Sequence, residues 1–175
     1  MSSPNQGLIS LKPFIPEYVD TVLEIGCGNG RNLIPFKDKK LIACDLAPEE
    51  DVNWAHPFED IIYVRSLVQE VLVEGSADIP INMSSALVIS FGIMMYLTKE
   101  EQEQFYQGCL ARGCKNFIFR EHDTDSNRSD GVFLLERHNF IEKKFNYSMR
   151  DPSTTYVSLD LDQTQKDQLR NLTAI

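Results

Sequence analysis

The sequence predicts an α/β fold: a mostly parallel sheet with helices on both faces and a reversed strand near the C-terminus. Three observations predict it. Short apolar runs at residues 21–25, 41–44, 86–90 and 116–119 alternate with segments that carry helix signals, which is the pattern of a parallel sheet covered on both sides. Glycines at 26, 28 and 30 follow the first run directly, where doubly wound sheets form their ligand crevice. Two strand-like runs, 140–147 and 154–161, flank a turn at 150–153, so a terminal hairpin is expected to add one antiparallel edge strand.

The elements follow in order. Residues 2–16 carry three prolines and read as an irregular lead-in, so residues 1–20 form a short N-terminal extension of a single domain, 1–175. Residues 21–25 are a buried strand feeding a tight turn. A short helix at 31–37 is ended or kinked by Pro35. Residues 41–44 are a second buried strand, closed by Asp45, and 60–64 a third. The Val-rich stretch 67–82 fits helix and strand equally. Residues 86–90 are uncharged and form a central strand. Thr98 and Glu101 then make a capping box. Phe105, Tyr106, Cys109 and Leu110 line one face of the helix it starts, and Gly113 stops it. Residues 116–119 are another buried strand. A polar loop at 123–130 leads into a helix at 131–138.

Composition narrows the classes of function. The chain has 175 residues, 42% hydrophobic and 25% charged, as a globular domain does. A domain of this length buries about two thirds of its unfolded surface and needs no disulfide or metal staple. Its net charge of −9 repels phosphate backbones, so extended duplex nucleic acid is a poor partner. Cys27, Cys44, Cys109 and Cys114 form no C-x-x-C pair and have no His at zinc-ligand spacing, so they read as structural thiols and no metal is expected. The first ten residues lack the basic-then-apolar order of a signal peptide. The longest nearly uncharged stretch, 79–98, is broken by Asn82, Ser84, Ser85 and Ser90, and reads as loop plus strand rather than a membrane span. A cytoplasmic, reducing location is the expectation.

Residues 22–30, Val-Leu-Glu-Ile-Gly-Cys-Gly-Asn-Gly, say most about chemistry. Gly26 can take dihedrals closed to other residues, and Gly28 and Gly30 let a ligand approach the backbone. The dinucleotide fingerprint G-x-G-x-x-G requires a third glycine where this chain has Arg31 or Leu33, which disfavours a nicotinamide dehydrogenase. The pattern Glu24-x-Gly26-x-Gly28-x-Gly30 instead resembles motif I of the class I S-adenosylmethionine (SAM)-dependent methyltransferases. The resemblance spans residues 22–161, including 87–98 as the fourth strand and its turn. It implies a Rossmann-like methyltransferase sheet, SAM as the cofactor, and methyl transfer to a small-molecule or protein acceptor.

Residue by residue, the resemblance implies that Glu24, Gly26, Cys27, Gly28 and Gly30 cradle the methionine end of the cofactor. It assigns Asp45 to the ribose hydroxyls, a charge-assisted contact, and adds Leu46 and Phe91 to the cofactor set. The acid that the family often places after its third strand, near the adenine, is replaced by Ser66 or Leu67. The helices that usually cover the active site are reduced to residues 1–20. That leaves the site open to water or completed by a protein partner.

The sulfonium is already activated, so catalysis needs chiefly alignment and exclusion of water. Arg120, Glu121, His122 and Asp123 stand at the lip of the fifth strand. His122 is a candidate base there, against the alternative of a charged surface loop. Tyr96 is a candidate for orienting substrate, against core packing. Arg31 is either a contact to the cofactor carboxylate or a surface arginine. Met94 and Met95 read as core lining. Arg137, His138, Lys143, Lys144 and Arg150 collect late in the chain and read as a solvated face. Two further functions stay open: an RNA or cap methyltransferase, and a catalytically weak methyltransferase-like binding subunit.

Overall fold

The computed structural model describes residues 3–66, 68, 82–122, 131–145 and 153–172. Seven strands form one sheet: β1 (Thr21–Ile25), β2 (Lys40–Asp45), β3 (Ile61–Arg65), β4 (Ala86–Phe91), β5 (Asn116–His122), β6 (Ile141–Lys143) and β7 (Ser153–Ser158). Their spatial order is β3-β2-β1-β4-β5-β7-β6. The α-helices among the described residues are α1 (Gln6–Leu11), α2 (Lys99–Ala111), α3 (Phe133–Arg137) and α4 (Gln163–Asn171).

β1 is central because every one of its five side chains is buried, which only a strand covered on both faces permits. It pairs in parallel with β2 and β4, and Ile25 stands level with both Cys44 and Ser90. The carboxyl ends of the three strands therefore open at one height. Alternation divides the core in two. Leu23, Ile25 and Phe117 face α2 and α3, packing with Phe105, Tyr106, Cys109 and Leu134. Val22, Leu87 and Ile118 face the other way, against Leu8 and Leu11 of α1, Leu33 and Phe36, and Leu169 of α4. The same parity sends Glu24, Phe91, Arg120 and His122 to this second face.

The reversed strand is present, but it is not at the edge. β7 lies between β5 and β6 and is antiparallel to both. The crossover through α3 makes β6 parallel to β5 and sets it one strand away. β7 then turns back into the gap, where its four central residues are buried.

Several elements differ from the sequence reading. The lead-in contains a helix, α1, started by Asn5, whose side chain accepts from the Leu8 amide at 3.2 Å, and anchored by buried Leu8 and Leu11. Residues Arg31–Phe36 form a 3-10 helix with Pro35 inside it; Pro lacks the N–H that an α-helix would require there. The capping box of α2 is formed, with Glu101 N donating to Thr98 Oγ1 at 3.1 Å and Thr98 N to Glu101 Oε1 at 3.0 Å. Leu110, expected on the buried face of α2, is 38% exposed. α4 follows the last expected strand and rests on its own capping box, Asp162 with Gln165. β5 runs three residues longer than expected and carries Glu121 and His122 in the sheet. Of the ambiguous stretch 67–82, only Val68 and Asn82 are among the described residues, and the loop 123–130 and the turn residues 150–152 lie outside them.

All four cysteines are free thiols and buried. Burial pushes Cys114 up to about 11 and Cys44 up to about 12. Among the described residues no helix is long and apolar enough to cross a membrane.

Candidate functional site

The site begins where β1 ends. Gly26 has φ +66°, and a side chain there would overlap Ile93, which reaches over it from the turn after β4. Cys27 N donates to Cys44 O at 3.0 Å, extending the ladder between β1 and β2 by one bond. Gly28 has φ +54°, and a Cβ built on it meets nothing within 4 Å. Packing thus excludes a side chain at 26, whereas at 28 the space is open and the positive φ is what favours glycine. Gly30 N donates to Cys27 O at 2.9 Å and closes the turn, with Trp54 packed over Gly30.

Asp45 is fixed by two amides. Gly28 N donates to its Oδ2 and Leu46 N to its Oδ1, each at 2.7 Å. Each carboxylate oxygen has a second lone pair, so the group can still accept from a ligand. Glu24 differs in every respect. It is 1% exposed; its Oε2 accepts from Asn32 Nδ2 at 3.5 Å, and its Oε1 has no hydrogen-bond partner among the described residues. Desolvation pushes its carboxyl up to about 8, against the smaller opposing pull of Asn32. A buried acid with an unmet oxygen is costly to keep unless a ligand supplies a donor. Asn32 Oδ1 in turn accepts from Asn5 N at 2.9 Å, which ties the N-terminal segment to this acid.

Two cavities open at this sheet edge and share Gly26. The first, about 340 Å³, is lined by Asp45, Leu46, Ser66, Val68, Ile93 and Tyr96. The second, about 380 Å³, is lined by Glu24, Cys27, Gly28, Arg31, Asn32, Phe91, Arg120 and His122. A larger cavity, about 570 Å³, lies beside residues 37–41 and 56–60 at the opposite ends of β2 and β3, away from both carboxyls. Among the described residues no three His, Cys, Asp or Glu side chains are grouped to hold a metal ion.

The structure separates residues that the sequence grouped. His122 and Arg120 line the second lobe, whereas Glu121 points to the opposite face. Glu121 is 2% exposed, and its Oε1 accepts from Met94 N at 3.1 Å. Desolvation pushes its carboxyl up to about 8. Asp123 lies outside the described residues. Tyr96 is not core: it is 77% exposed, at the mouth of the first lobe and not beside His122. Of the two methionines expected to line the core, Met94 is fully buried and Met95 is half-buried. Leu46, 55% exposed, is on the first lobe and half-buried Phe91 on the second. Asn32 and Ile93 were not singled out from the sequence. Asn32 carried a usable signal, being a polar residue in the first turn after the glycines and so placed back against β1.

No family model matches the sequence, and no curated protein does. Solved structures do match. A TehB-like SAM-dependent methyltransferase from Corynebacterium glutamicum aligns at a TM-score of 0.56 and 15% identity, over 87% of this chain and 85% of its own. A SAM-dependent methyltransferase from Aquifex aeolicus aligns at 0.55 and 17%, over 85% and 87%. Human N-acetylserotonin methyltransferase, in complex with SAM, aligns at 0.53 and 13%, over 87% of this chain and 52% of its own. At these identities the likeness is one of fold. This chain has the Rossmann-like fold of SAM-dependent methyltransferases, a seven-stranded sheet with one reversed strand.

Proposed function

We propose that this chain is a SAM-dependent methyltransferase acting on a small molecule or a protein side chain. The observation that carries the proposal is the placement of two carboxyls across one glycine. Asp45 lines one lobe and Glu24 the other, and the lobes join at Gly26. The residues fit the cofactor. Asp45 would accept from the ribose hydroxyls, with Leu46, Val68 and Ile93 as apolar walls for the adenine. Glu24 Oε1 would take a donor from the methionine end, and Gly28 would leave room for close approach. Tyr96, at the mouth of the first lobe, would cover the nucleoside rather than orient the acceptor.

The sulfonium of SAM supplies an activated methyl group when bound. The protein's share is then alignment in the second lobe and exclusion of water by Phe91 and the N-terminal segment. His122 would take the proton that the acceptor's nucleophilic atom gives up as it gains the methyl group. The four buried thiols suit a reducing cytoplasm, where we place the protein.

Two measurements test this reading. Calorimetry against SAM, S-adenosylhomocysteine and NAD should show binding of the first two only. S-adenosylhomocysteine release, followed across an acceptor panel, should show turnover. NAD binding in place of SAM would overturn the reading. Cofactor binding with no turnover on any acceptor would favour the binding subunit, and with it a protein partner over the N-terminal side.

A further inference from the structure

Ile93, Tyr96 and Leu97 all line the first lobe, where the nucleoside is placed, and all belong to one short turn after β4. The turn's own backbone bonds are those of a 3-10 turn, Tyr96 N to Ile93 O and Leu97 N to Met94 O, each at 3.0 Å. So short a helical segment is marginal by itself. Two buried polar side chains, one from the sheet and one from α2, hold it from beneath.

The first is Glu121. β5 runs parallel to β4, and Arg120 O accepts from Gly92 N at 2.8 Å as the chain leaves the sheet. One residue further along β5, the Glu121 side chain turns to the face that carries α2, and its Oε1 accepts from Met94 N at 3.1 Å. Desolvation raises the carboxyl, and the amides of Met94 and Ile93 act against that by favouring its charged form. An apolar residue would avoid the cost of burying an acid but would leave the Met94 amide without this acceptor.

The second is Gln102 of α2, which is fully buried. Its Nε2 donates to Met94 O at 3.0 Å and to Leu97 O at 3.2 Å, which uses both N–H groups of the amide. Met94 is therefore gripped twice, its N–H by the sheet and its C=O by the helix. Its side chain is buried in the core shared with Phe105 of α2. Ile93, which reaches over Gly26, immediately precedes this fixed residue; Tyr96 and Leu97 follow it.

We propose that Glu121 and Gln102 are positioning residues for the cofactor: by fixing Met94 they set the height of Ile93 over Gly26 and the place of Tyr96 and Leu97, and so the width of the first lobe. The inference rests on the methyltransferase reading and adds to it two residues that line neither lobe.

The test uses the full chain and the variants Glu121→Ala, Glu121→Gln and Gln102→Leu. Urea unfolding first sets a temperature at which each variant is folded. Calorimetry then gives the S-adenosylhomocysteine affinity, and hydrogen exchange by NMR reports the Met94 amide. Glu121→Ala should weaken S-adenosylhomocysteine about tenfold and speed exchange at Met94, the loss of roughly one net hydrogen bond. Glu121→Gln should recover most of the affinity and the protection, because its side-chain oxygen still accepts. Gln102→Leu, which keeps the side chain's bulk without its donors, should weaken binding as well. If Glu121→Ala does not fold, Gln102→Leu carries the test. Folded variants that bind S-adenosylhomocysteine as the parent does, with only their stability lowered, overturn this inference alone. So does Glu121→Gln as weak as Glu121→Ala. Failure of the parent to bind S-adenosylhomocysteine overturns the methyltransferase reading and this inference with it.

Discussion

Gly28 donates its amide to Asp45 Oδ2 at 2.7 Å, so the glycine turn after β1 and the acid that ends β2 form one unit. The bond aims the carboxylate at the cleft and leaves lone pairs for a ligand. Asp45→Ala should therefore weaken SAM binding by about 1–3 kcal/mol, the cost of ribose hydroxyls without a charged acceptor. The fold should change little, because the contact is exposed. Calorimetry checks the first point and thermal denaturation the second; an unchanged Kd would place the ribose elsewhere.

Gly26 and Gly28 predict opposite failures. Alanine at 26 would collide with Ile93, so Gly26→Ala should lose stability from overpacking, about 1–3 kcal/mol, beyond the strain of its positive φ. Alanine at 28 meets open space and should cost only the left-handed strain, about 1–2 kcal/mol. Gly28→Val should abolish cofactor binding by filling the approach. Urea unfolding paired with calorimetry reads both effects, and equal behaviour of the two positions would contradict this division.

Glu24 and Glu121 predict the pH dependence of stability. Burial holds both near 8, above their ordinary value of 4.5. Between those pH values the folded state binds more protons than the unfolded state, so stability falls as pH rises from about 4.5 to about 8. Glu24→Gln and Glu121→Gln should each flatten that slope. Midpoints of urea unfolding across the window test this; a parent that gains stability with pH there would contradict it.

His122 lines the second lobe, and the first lobe is formed without it. His122→Ala should keep cofactor affinity and lower turnover by about 10²–10⁴-fold, the usual contribution of a general base. Single-turnover rates separate this from a binding defect. Unchanged turnover would leave alignment alone to carry the reaction.

The sheet was legible because β1, β2 and β4 are buried on both faces and so read as unbroken apolar runs. The glycine turn was legible because backbone conformation restricts which residues stand there. Other elements left weaker marks. α4 buries one side chain, Leu169, too little for a periodic stripe, and it is held by its cap. α1 has six residues, shorter than two helical turns. The position of β7 depends on the crossover before it, and a run of residues does not encode a neighbour two elements away. The second lobe was half visible. His122 and Arg120 stood out as polar residues, but only the pleat of β5 shows that they share a face with Glu24 and that Glu121 does not. Tyr96 shows the same limit: following a strand in sequence did not say which lobe it would border.

In the proposed methyltransferase, one SAM molecule lies across Gly26 with its ribose on Asp45. The crystal structure of the full chain with S-adenosylhomocysteine tests it most directly. The expected structure has the ribose hydroxyls on the Asp45 carboxylate, the adenine between Leu46 and Ile93, and the amino-acid end against Glu24. Ligand density beside residues 37–41 and 56–60, or a cleft at Gly26 that stays empty at saturating ligand, would contradict it.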